Sequence, residues 1–290
     1  MNTNVLLLRA PTHPTESDAY TRALLDAHYT PISIPVLETV LVNNDELARR
    51  IRSGPQEIKG VVVTSARGAE GWGQAVQAVS DESGGVDWRA TPFYTVGEAT
   101  AAALAALSHS PTSSPSHQRL FPCDIRGAQT GTAAALARYI VEDQGPLPST
   151  DPPLRMLYLT GDKNRDTLPR ILHDGGIELD DLQVYATQGS RAFETDLQAI
   201  LKLHEAEEDT PWWIAFFAPS AAAYVLPHLR VYFDILPASA ALQRQARIAA
   251  IGPTTGDFLR SEMGVHVDAV AERPSAEGLV RALRTASDTR

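Results

Sequence analysis

Val61-Val62-Val63-Thr64-Ser65-Ala66 is a short apolar run that ends in a hydroxyl-bearing turn, and Ala215-Phe216-Phe217-Ala218-Pro219-Ser220-Ala221 repeats that pattern later in the chain. A second pair follows, because Val96-Gly97-Glu98-Ala99-Thr100 is echoed by Ile251-Gly252-Pro253-Thr254-Thr255. Ser65 and Ser220 lie 155 positions apart, as do Gly97 and Gly252. The repeat predicts two similar modules whose turns line a cleft.

A third pair of segments extends the repeat. Residues 131–136 resemble residues 274–279 at an offset of 143. The Ser/Pro/His-rich stretch 108–117 in the first copy accounts for most of the difference between the two offsets. We interpret 108–117, together with the polar or proline-rich stretches 145–153 and 205–210, as loop insertions without chemistry.

Short apolar runs alternate with segments of helical period along the whole chain. The runs are residues 5–8, 61–63, 93–96, 156–159, 214–217 and 248–251. Continuous apolar runs separated by helices are typical of parallel sheets that are covered on both faces. The pattern therefore predicts an α/β fold, with a parallel sheet flanked by helices in each module.

The length and the placement of two polar strand-like pieces predict the domain organisation. A chain of 290 residues exceeds the usual domain size of about 100 to 200 residues. If the strand at residues 5–8 joins the sheet of the second copy, the pieces near 33–38 and 183–188 are the only crossings between domains. We therefore expect a discontinuous domain of residues 1–36 and 188–290, a second domain of 37–187, and a two-stranded hinge.

The composition excludes several classes of protein. A formal net charge of -10 argues against general nucleic-acid binding, which needs a basic face to displace counterions from phosphates. The single cysteine, Cys123, forms no intrachain disulfide, and neither cysteine nor histidine spacing indicates a metal site. The apolar runs are too short for a signal peptide or a membrane span. We expect a cytoplasmic protein without metal or membrane contact.

Nucleotide-binding and nucleophile motifs are absent, so the strand-to-helix turns are the candidate site. Neither phosphate-loop nor dinucleotide glycine patterns occur, and GxSxG is missing too. Ligands bind at the carboxyl ends of parallel strands, and helix N-termini there attract anions through free N–H groups and the helix dipole. The turn residues are Thr64, Ser65, Arg67, Gly97, Thr100, Gly161, Arg165, Ser220, Gly252, Thr254 and Thr255.

A simpler interpretation of these residues stays open. Ser65, Thr100, Ser220 and Thr255 would then only cap their helices, each contributing about 0.5 to 2 kcal/mol. Arg9, Arg67 and Arg165 would be surface charges, and Tyr185 would be a half-buried packing aromatic.

Taken together, these strings resemble the uroporphyrinogen-III synthase family. The resemblance rests on segments spread in order over most of the chain, namely 5–9, 34–38, 63–67, 96–100, 168–169, 184–187, 216–220, 249–255 and 271–275. The family often has Thr-Ser-Pro-Arg and Phe-Ser-Pro-Ser where this chain has Ala66 and Ala218. The lost hydroxyl at Ala218 leaves Ser220 as the candidate contact there.

The resemblance implies an architecture, a reaction and a set of site residues. It implies two α/β domains joined by two antiparallel strands, a monomer, and cyclisation of hydroxymethylbilane to uroporphyrinogen III without a cofactor. It implies Tyr185 as the catalytic proton donor. The implied substrate-binding residues are Arg9, Thr64, Ser65, Arg67, Gly97, Thr100, Thr132, Gly161, Arg165, Ser220, Gly252, Thr254, Thr255 and Ser275. The alternative function is a non-catalytic two-domain module that binds a small anionic ligand.

Overall fold

The computed structural model describes residues 3–12, 18–79, 85–108, 117–145, 153–204, 210, 212–235 and 244–288. The loop insertions expected at 108–117, 145–153 and 205–210 lie almost wholly outside these residues. The chain divides into two compact units, Met1–Glu38 with Gln188–Arg290 (unit 1) and Thr39–Thr187 (unit 2).

Strands and helices alternate along the described chain. The strands are β1 (Thr3–Leu8), β2 (Tyr29–Ser33), β3 (Leu37–Leu41), β4 (Ile58–Val63), β5 (Phe93–Thr95), β6 (Ile125–Arg126), β7 (Leu154–Thr160), β8 (Ile177–Gln183), β9 (Tyr185–Gly189), β10 (Trp212–Phe216), β11 (Ala246–Ala250) and β12 (Ala269–Val270). The helices are α1 (Ala19–Asp26), α2 (Asn44–Ser53), α3 (Ala66–Gln77), α4 (Gly97–Leu107), α5 (Ala133–Gln144), α6 (Thr167–Asp174), α7 (Phe193–Leu203), α8 (Pro219–Tyr232), α9 (Pro253–Ser261) and α10 (Ala276–Asp288).

Each unit is built on a five-stranded parallel sheet. The strand order is β2-β1-β10-β11-β12 in unit 1 and β8-β7-β4-β5-β6 in unit 2. Both faces of each sheet are buried: in β1, for example, Leu6 and Leu8 belong to one apolar cluster while Val5 and Leu7 belong to another. The predicted fold class is confirmed, including the parallel sheets and a small antiparallel sheet formed by β3 and β9.

The strand orders reveal a duplication that runs through the whole chain. In unit 1, β1-α1-β2 adds two strands to the sheet of β10, β11 and β12, which lie late in the chain. In unit 2, β7-α6-β8 adds two strands to the sheet of β4, β5 and β6, so the two βαβ segments correspond. His28 and Gly176, 148 positions apart, both precede the outer strand and both have positive φ, 66° and 79°. The same offset relates β3 to β9, because Val36 accepts a hydrogen bond from the N–H of Ser190 and Val184 accepts one from the N–H of Val42.

One of the matched offsets is wrong by two positions. Val63 pairs with Thr95 in unit 2, and Phe216 pairs with Ala250 in unit 1. Val63 therefore corresponds to Phe216 at an offset of 153, although Thr95 and Ala250 keep the offset of 155. Since α8 begins after Ala218 and α3 after Ser65, the structural counterpart of Ser65 is Ala218 rather than Ser220.

The connecting strands also begin later than predicted. Residues 33–38 were expected to form the first of them, but Ser33 ends β2 and the connecting strand β3 begins at Leu37. Proline lacks the N–H that a sheet ladder needs, so Pro35 separates the two strands. The second connecting strand, predicted at 183–188, is β9 at Tyr185–Gly189.

Candidate active site

Tyr185 lies at the carboxyl end of the unit 2 sheet, where β8 leads into β9. Its side chain is half-buried against the unit 2 core. The ring rests on the backbone of Gly161, which follows β7: a methyl group on Gly161 would fall 2.6 Å from Cζ and 2.9 Å from Oη of Tyr185. Within the described ranges the Tyr185 hydroxyl makes no hydrogen bond. This site therefore holds a phenol whose O–H is available to a ligand.

The turn after β7 is fixed by the exposed residue Asn164. Its Oδ1 accepts a hydrogen bond from the Gly161 N–H at 3.3 Å, and its Nδ2 donates one to the Gly161 carbonyl at 2.8 Å. Lys163 and Arg165 flank Asn164, and both side chains are exposed. As far as the structure describes the chain, neither cation forms a salt bridge. The turn thus carries two exposed cations, Lys163 and Arg165, together with two exposed carboxylates, Asp162 and Asp166.

Thr64 follows β4 at the same end of the unit 2 sheet. Its side chain hydrogen-bonds to the phenol of the buried residue Tyr158. Burial raises the pKa of the Tyr158 phenol, and the hydrogen bond from Thr64 only partly offsets that rise. Thr64, Gly161 and Tyr185 therefore come together around the ends of β4, β7 and β8.

Three of the predicted hydroxyl residues cap helices. Ser65 Oγ accepts from the Gly68 N–H at 3.2 Å at the start of α3, and Thr132 Oγ1 accepts from the Ala135 N–H at 3.2 Å at the start of α5. In unit 1, Ser275 Oγ accepts from the Gly278 N–H at 3.1 Å at the start of α10. The capping interpretation is confirmed for Ser65. A hydroxyl that accepts one hydrogen bond can still donate its own proton to a ligand.

The capping interpretation is wrong for Thr100, Ser220 and Thr255. The helices α4, α8 and α9 begin earlier than expected, after Val96, Ala218 and Gly252, and none of these three residues provides a side-chain cap. Thr100 and Thr255 are buried inside the first turns, whereas Ser220 and Thr254 are exposed. The first N–H groups of an uncapped helix end are left for solvent or a ligand.

Gly97 and Gly252 occupy corresponding turns with different backbones. Gly97 opens α4 at a φ of 79°, in the left-handed region that favours glycine. Gly252 has a φ of -176°, which any residue adopts, and a methyl group there would meet no atom within 4 Å. The second glycine is required neither by its conformation nor by its neighbours in the described chain. It leaves open space over the N-terminus of α9.

Arg9, which follows β1 in unit 1, is not a surface charge. Its Nη1 donates to Asp18 Oδ2 at 2.7 Å, and its guanidinium lies 5.0 Å from the ring centre of Tyr20. Asp18 is fully buried and caps α1 through the N–H groups of Tyr20 and Thr21. Burial alone would raise the pKa of Asp18, but the hydrogen bonds from the Thr12 N–H, Arg9 and the Thr21 N–H outweigh it and hold that pKa well below its usual range.

The other predicted arginine of unit 2 is exposed and locally paired. Arg67 Nη1 lies 2.7 Å from Glu70 Oε2, one turn along α3. Exposed pairs of this kind are typically worth less than about 1 kcal/mol, so a carboxylate ligand can compete for Arg67. Its role as a substrate contact stays a prediction.

A groove of about 630 Å³ borders the turn after β12 in unit 1. It follows α10 from Ser275 to Ala286 and includes the exposed residue Arg273. Arg273 makes no salt bridge with any residue that the structure describes. It is a further exposed cation at the carboxyl end of the unit 1 sheet.

Sequence reasoning did not single out Asn164, Lys163, Tyr158 or Arg273 as site residues. Asn164 was detectable in principle, since asparagine side chains commonly bond to nearby backbone in turns. Tyr158 gave no signal, because a tyrosine in an apolar run is indistinguishable from a packing residue until the partner of its hydroxyl is known.

No cluster of three or more His, Cys, Asp or Glu side chains among the described residues could hold a metal ion. Of the helices described, none combines the length and the apolarity that crossing a bilayer requires.

Together, the fold and the turns define an α/β protein of two duplicated units that presents anion-attracting helix ends and a phenol at the carboxyl ends of its strands. The chain belongs to the uroporphyrinogen-III synthase family: the family model for uroporphyrinogen-III synthase HemD matches residues 18–281. The resemblance seen in the sequence is thereby confirmed.

Two curated relatives carry the name of that family. The chain is 27% identical over 278 residues to a protein named uroporphyrinogen-III synthase from Schizosaccharomyces pombe, covering 96% of this chain and 95% of the relative. The protein of that name from Saccharomyces cerevisiae is 26% identical over 285 residues, covering 96% and 94%. A crystal structure of uroporphyrinogen-III synthetase from Helicobacter pylori is 16% identical, with a TM-score of 0.44 over the whole of both chains.

Proposed function

We propose that this chain is a lyase that cyclises hydroxymethylbilane to uroporphyrinogen III with inversion of the last pyrrole ring, a step of tetrapyrrole and haem biosynthesis. Its family and the names of its curated relatives support this activity. The structural observation that carries the proposal is the Tyr185 hydroxyl, which has no hydrogen-bond partner among the described residues and lies over Gly161 at the strand ends of unit 2.

The reaction needs a proton donor and an ordered path. Tyr185 donates its proton to the terminal hydroxyl of the substrate, which leaves as water, and the pyrrole nitrogen pushes electrons to form an azafulvene cation. The already substituted carbon of the pyrrole at the opposite end of the chain attacks this cation and gives a spiro intermediate on that ring. Bond cleavage and re-closure at the other carbon invert the ring, and the proton lost on re-aromatisation returns to the phenolate. The net loss is one water.

Tyr185 suits this role by its chemistry. A phenol carries an O–H that can be donated to a hydroxyl oxygen of a ligand. A positioned general acid typically contributes about 10² to 10⁴-fold to the rate. The rest of the catalysis is orientation, since the bound chain must favour the spiro path over direct closure.

Substrate carboxylates are the partners that the helix ends fit. We assign them to the N–H groups at the starts of α4, α8 and α9, with Gly97, Ser220, Gly252, Thr254 and Thr255 at those turns. Arg165 and Lys163 are exposed cations in the turn whose first residue, Gly161, lies under the Tyr185 ring. Ser65, Thr132 and Ser275 can each donate a hydroxyl proton while they cap their helices. Asp18 balances the charge of Arg9, so Arg9 is not assigned to a substrate carboxylate. Its contribution is to hold the turn after β1 in shape.

Oligomeric state, location and the class of partner belong to the same proposal. The enzyme acts as a monomer on a free small molecule in the cytoplasm. The negative net charge of -10 argues against nucleic acid as a partner. Local helix-end fields, rather than net charge, attract the polyanionic substrate.

Isomer analysis tests the function. Purified protein is supplied with hydroxymethylbilane, the products are oxidised, and type I and type III uroporphyrins are separated. We expect type III to predominate. If the protein leaves only type I, the spontaneous product, the chain is a binder of anionic ligands and the proposal fails.

A further inference from the structure

The contact between Gly161 and Tyr185 is tight and specific. A methyl group on Gly161 would lie 2.6 Å from Cζ and 2.9 Å from Oη of Tyr185, and it would also overlap Cε2. Real Cβ atoms essentially never approach other heavy atoms below 3.0 Å. Gly161 does not have the positive φ that would require glycine. Glycine is therefore required here for steric reasons alone. A side chain would occupy the space that the hydroxyl-bearing end of the Tyr185 ring fills.

The backbone under the phenol is held from both sides. The Asn164 side chain bonds to both polar backbone groups of Gly161, its N–H and its carbonyl. The preceding carbonyl, that of Thr160, accepts a 2.9 Å hydrogen bond from the N–H of Val184, the residue before Tyr185. The Tyr185 carbonyl in turn accepts a hydrogen bond from Gln183 Nε2 at 3.3 Å. The turn after β7 and the start of β9 thus share one short hydrogen-bonded frame.

We propose that Gly161 and Asn164 are positioning residues that hold the Tyr185 hydroxyl where the leaving group of the substrate must receive its proton. The inference rests on the proposed function. The Gly161 backbone is the surface on which the phenol ring packs. The two Asn164 hydrogen bonds fix the orientation of that backbone. Neither residue transfers a proton. A displacement of about 1 Å in a catalytic group can cost on the order of 10²-fold in rate, so the backbone that positions the phenol also affects the rate.

A matched glycine separates this role from ordinary packing. Gly60 in β4 also faces a tyrosine ring, since a methyl group there would lie 2.8 Å from Cε2 of Tyr94. Tyr94 is fully buried and its hydroxyl donates to Asp143 at 2.7 Å. Gly60→Ala therefore brings a methyl group against a structural tyrosine of the same unit, although with a milder overlap than at Gly161. It should lower stability without touching the reaction.

The experiment is a double-mutant cycle in kcat and KM. We expect Gly161→Ala to lower kcat by about tenfold or more while KM changes by less than about threefold, because the proton donor moves and the carboxylate contacts do not. In a Tyr185→Phe background the same change should have almost no further effect on kcat. Gly60→Ala should reduce the melting temperature and leave kcat within about twofold of the parent.

Asn164→Ala provides a second test if Gly161→Ala folds poorly. It removes the two side-chain hydrogen bonds to Gly161 without adding bulk. We therefore expect a several-fold lower kcat and an unchanged Kd for uroporphyrinogen III in a titration. Multiplicative losses from Gly161→Ala and Tyr185→Phe would overturn the proposal, as would an equal kcat loss in Gly60→Ala. A parent protein that makes only type I would instead refute the proposed function, so the two failures are distinguishable.

Discussion

Corresponding strands in the two units end in different chemistry. In unit 1, β1 leads into Arg9, whose charge is neutralised by the buried residue Asp18. In unit 2, the corresponding strand β7 leads into Gly161, which lies under the Tyr185 phenol, a group with no hydrogen-bond partner in the part of the chain that the structure describes. The counterpart of Tyr185 in unit 1 is Leu37, which packs against an apolar core. A duplicated fold thus supplies helix ends twice, whereas the proposed acid occurs in one unit only.

The largest effect should come from the phenol itself. Tyr185→Phe keeps the ring and removes the proton donor, so we expect turnover to fall more than about tenfold with the fold intact. The matched control is Tyr224→Phe in unit 1, which removes a hydroxyl that donates to the Ser190 carbonyl at 3.0 Å. It should cost stability alone. Equal turnover losses in the two variants, measured with hydroxymethylbilane, would contradict the division of roles between the units.

Arg9 and Arg165 should respond in opposite ways. Arg9→Ala leaves the buried Asp18 short of a charged hydrogen bond, and we expect a loss of about 2 kcal/mol in unfolding free energy. Arg165→Ala should change stability by less than about 0.5 kcal/mol, because the side chain is exposed and forms no ion pair with a described residue, but it should weaken substrate binding. Arg170→Ala, exposed on α6, is the control for both measurements. Arg9→Ala with normal stability would show that the ion pair is dispensable.

The ion pair also predicts an acid-sensitive unit 1. The folded pKa of Asp18 is depressed below its unfolded value of about 3.9. Its contribution to stability is therefore present above that value and is lost as the pH falls through the folded pKa. We expect urea unfolding midpoints of the parent to drop between about pH 5 and pH 2, and those of Asp18→Asn to start lower and depend less on pH. Parallel curves for both proteins would exclude Asp18 as a source of the acid sensitivity.

The two corresponding glycines sharpen the comparison further. Gly97→Ala forces alanine into the left-handed region, and we expect a loss of about 1 kcal/mol in unfolding free energy. Gly252→Ala meets neither strain nor neighbouring atoms, so stability should hold while the added methyl group weakens the approach of a carboxylate to α9. Thermal unfolding and product titration separate the two results. A stability loss at Gly252 would mean that this glycine serves the fold.

The smallest expected effect concerns His28, which occupies in unit 1 the left-handed position that Gly176 fills in unit 2. Glycine adopts that conformation without a Cβ penalty. His28→Gly should therefore stabilise the protein by about 0.5 to 1 kcal/mol, with turnover unchanged. A destabilised variant would show that the histidine side chain contributes more than its backbone costs.

The sequence predicted those parts of the fold that short apolar runs and repeated turns encode. The parallel strands and the cap at Ser65 follow from local pattern. The correspondence between β1-α1-β2 and β7-α6-β8 was missed because it is carried by backbone shape, as at His28 and Gly176, rather than by similar residues. The start of α4 was misplaced because Gly97 begins the helix with an unusual φ that no residue pattern reveals.

The candidate site was predictable in its turns but not in its contacts. Tyr185 was identified as a site residue by family resemblance. Its contact with Gly161 joins residues 24 positions apart in the chain and is seen only in the three-dimensional structure. The pairing of Arg9 with Asp18 is equally invisible in the sequence, because nothing there says which of several acidic residues becomes buried. Long-range polar partners decide whether an arginine is available to a ligand.

Backbone amide hydrogen exchange, measured with and without bound uroporphyrinogen III, tests the central claim most directly. The uncapped first turns of α8 and α9 in unit 1 and of α4 in unit 2 should exchange more slowly in the complex, at Ser220, Thr254, Thr255 and Glu98 in particular. Unchanged exchange at all of these amides, in protein shown to be saturated with product, would contradict carboxylate binding at the helix ends.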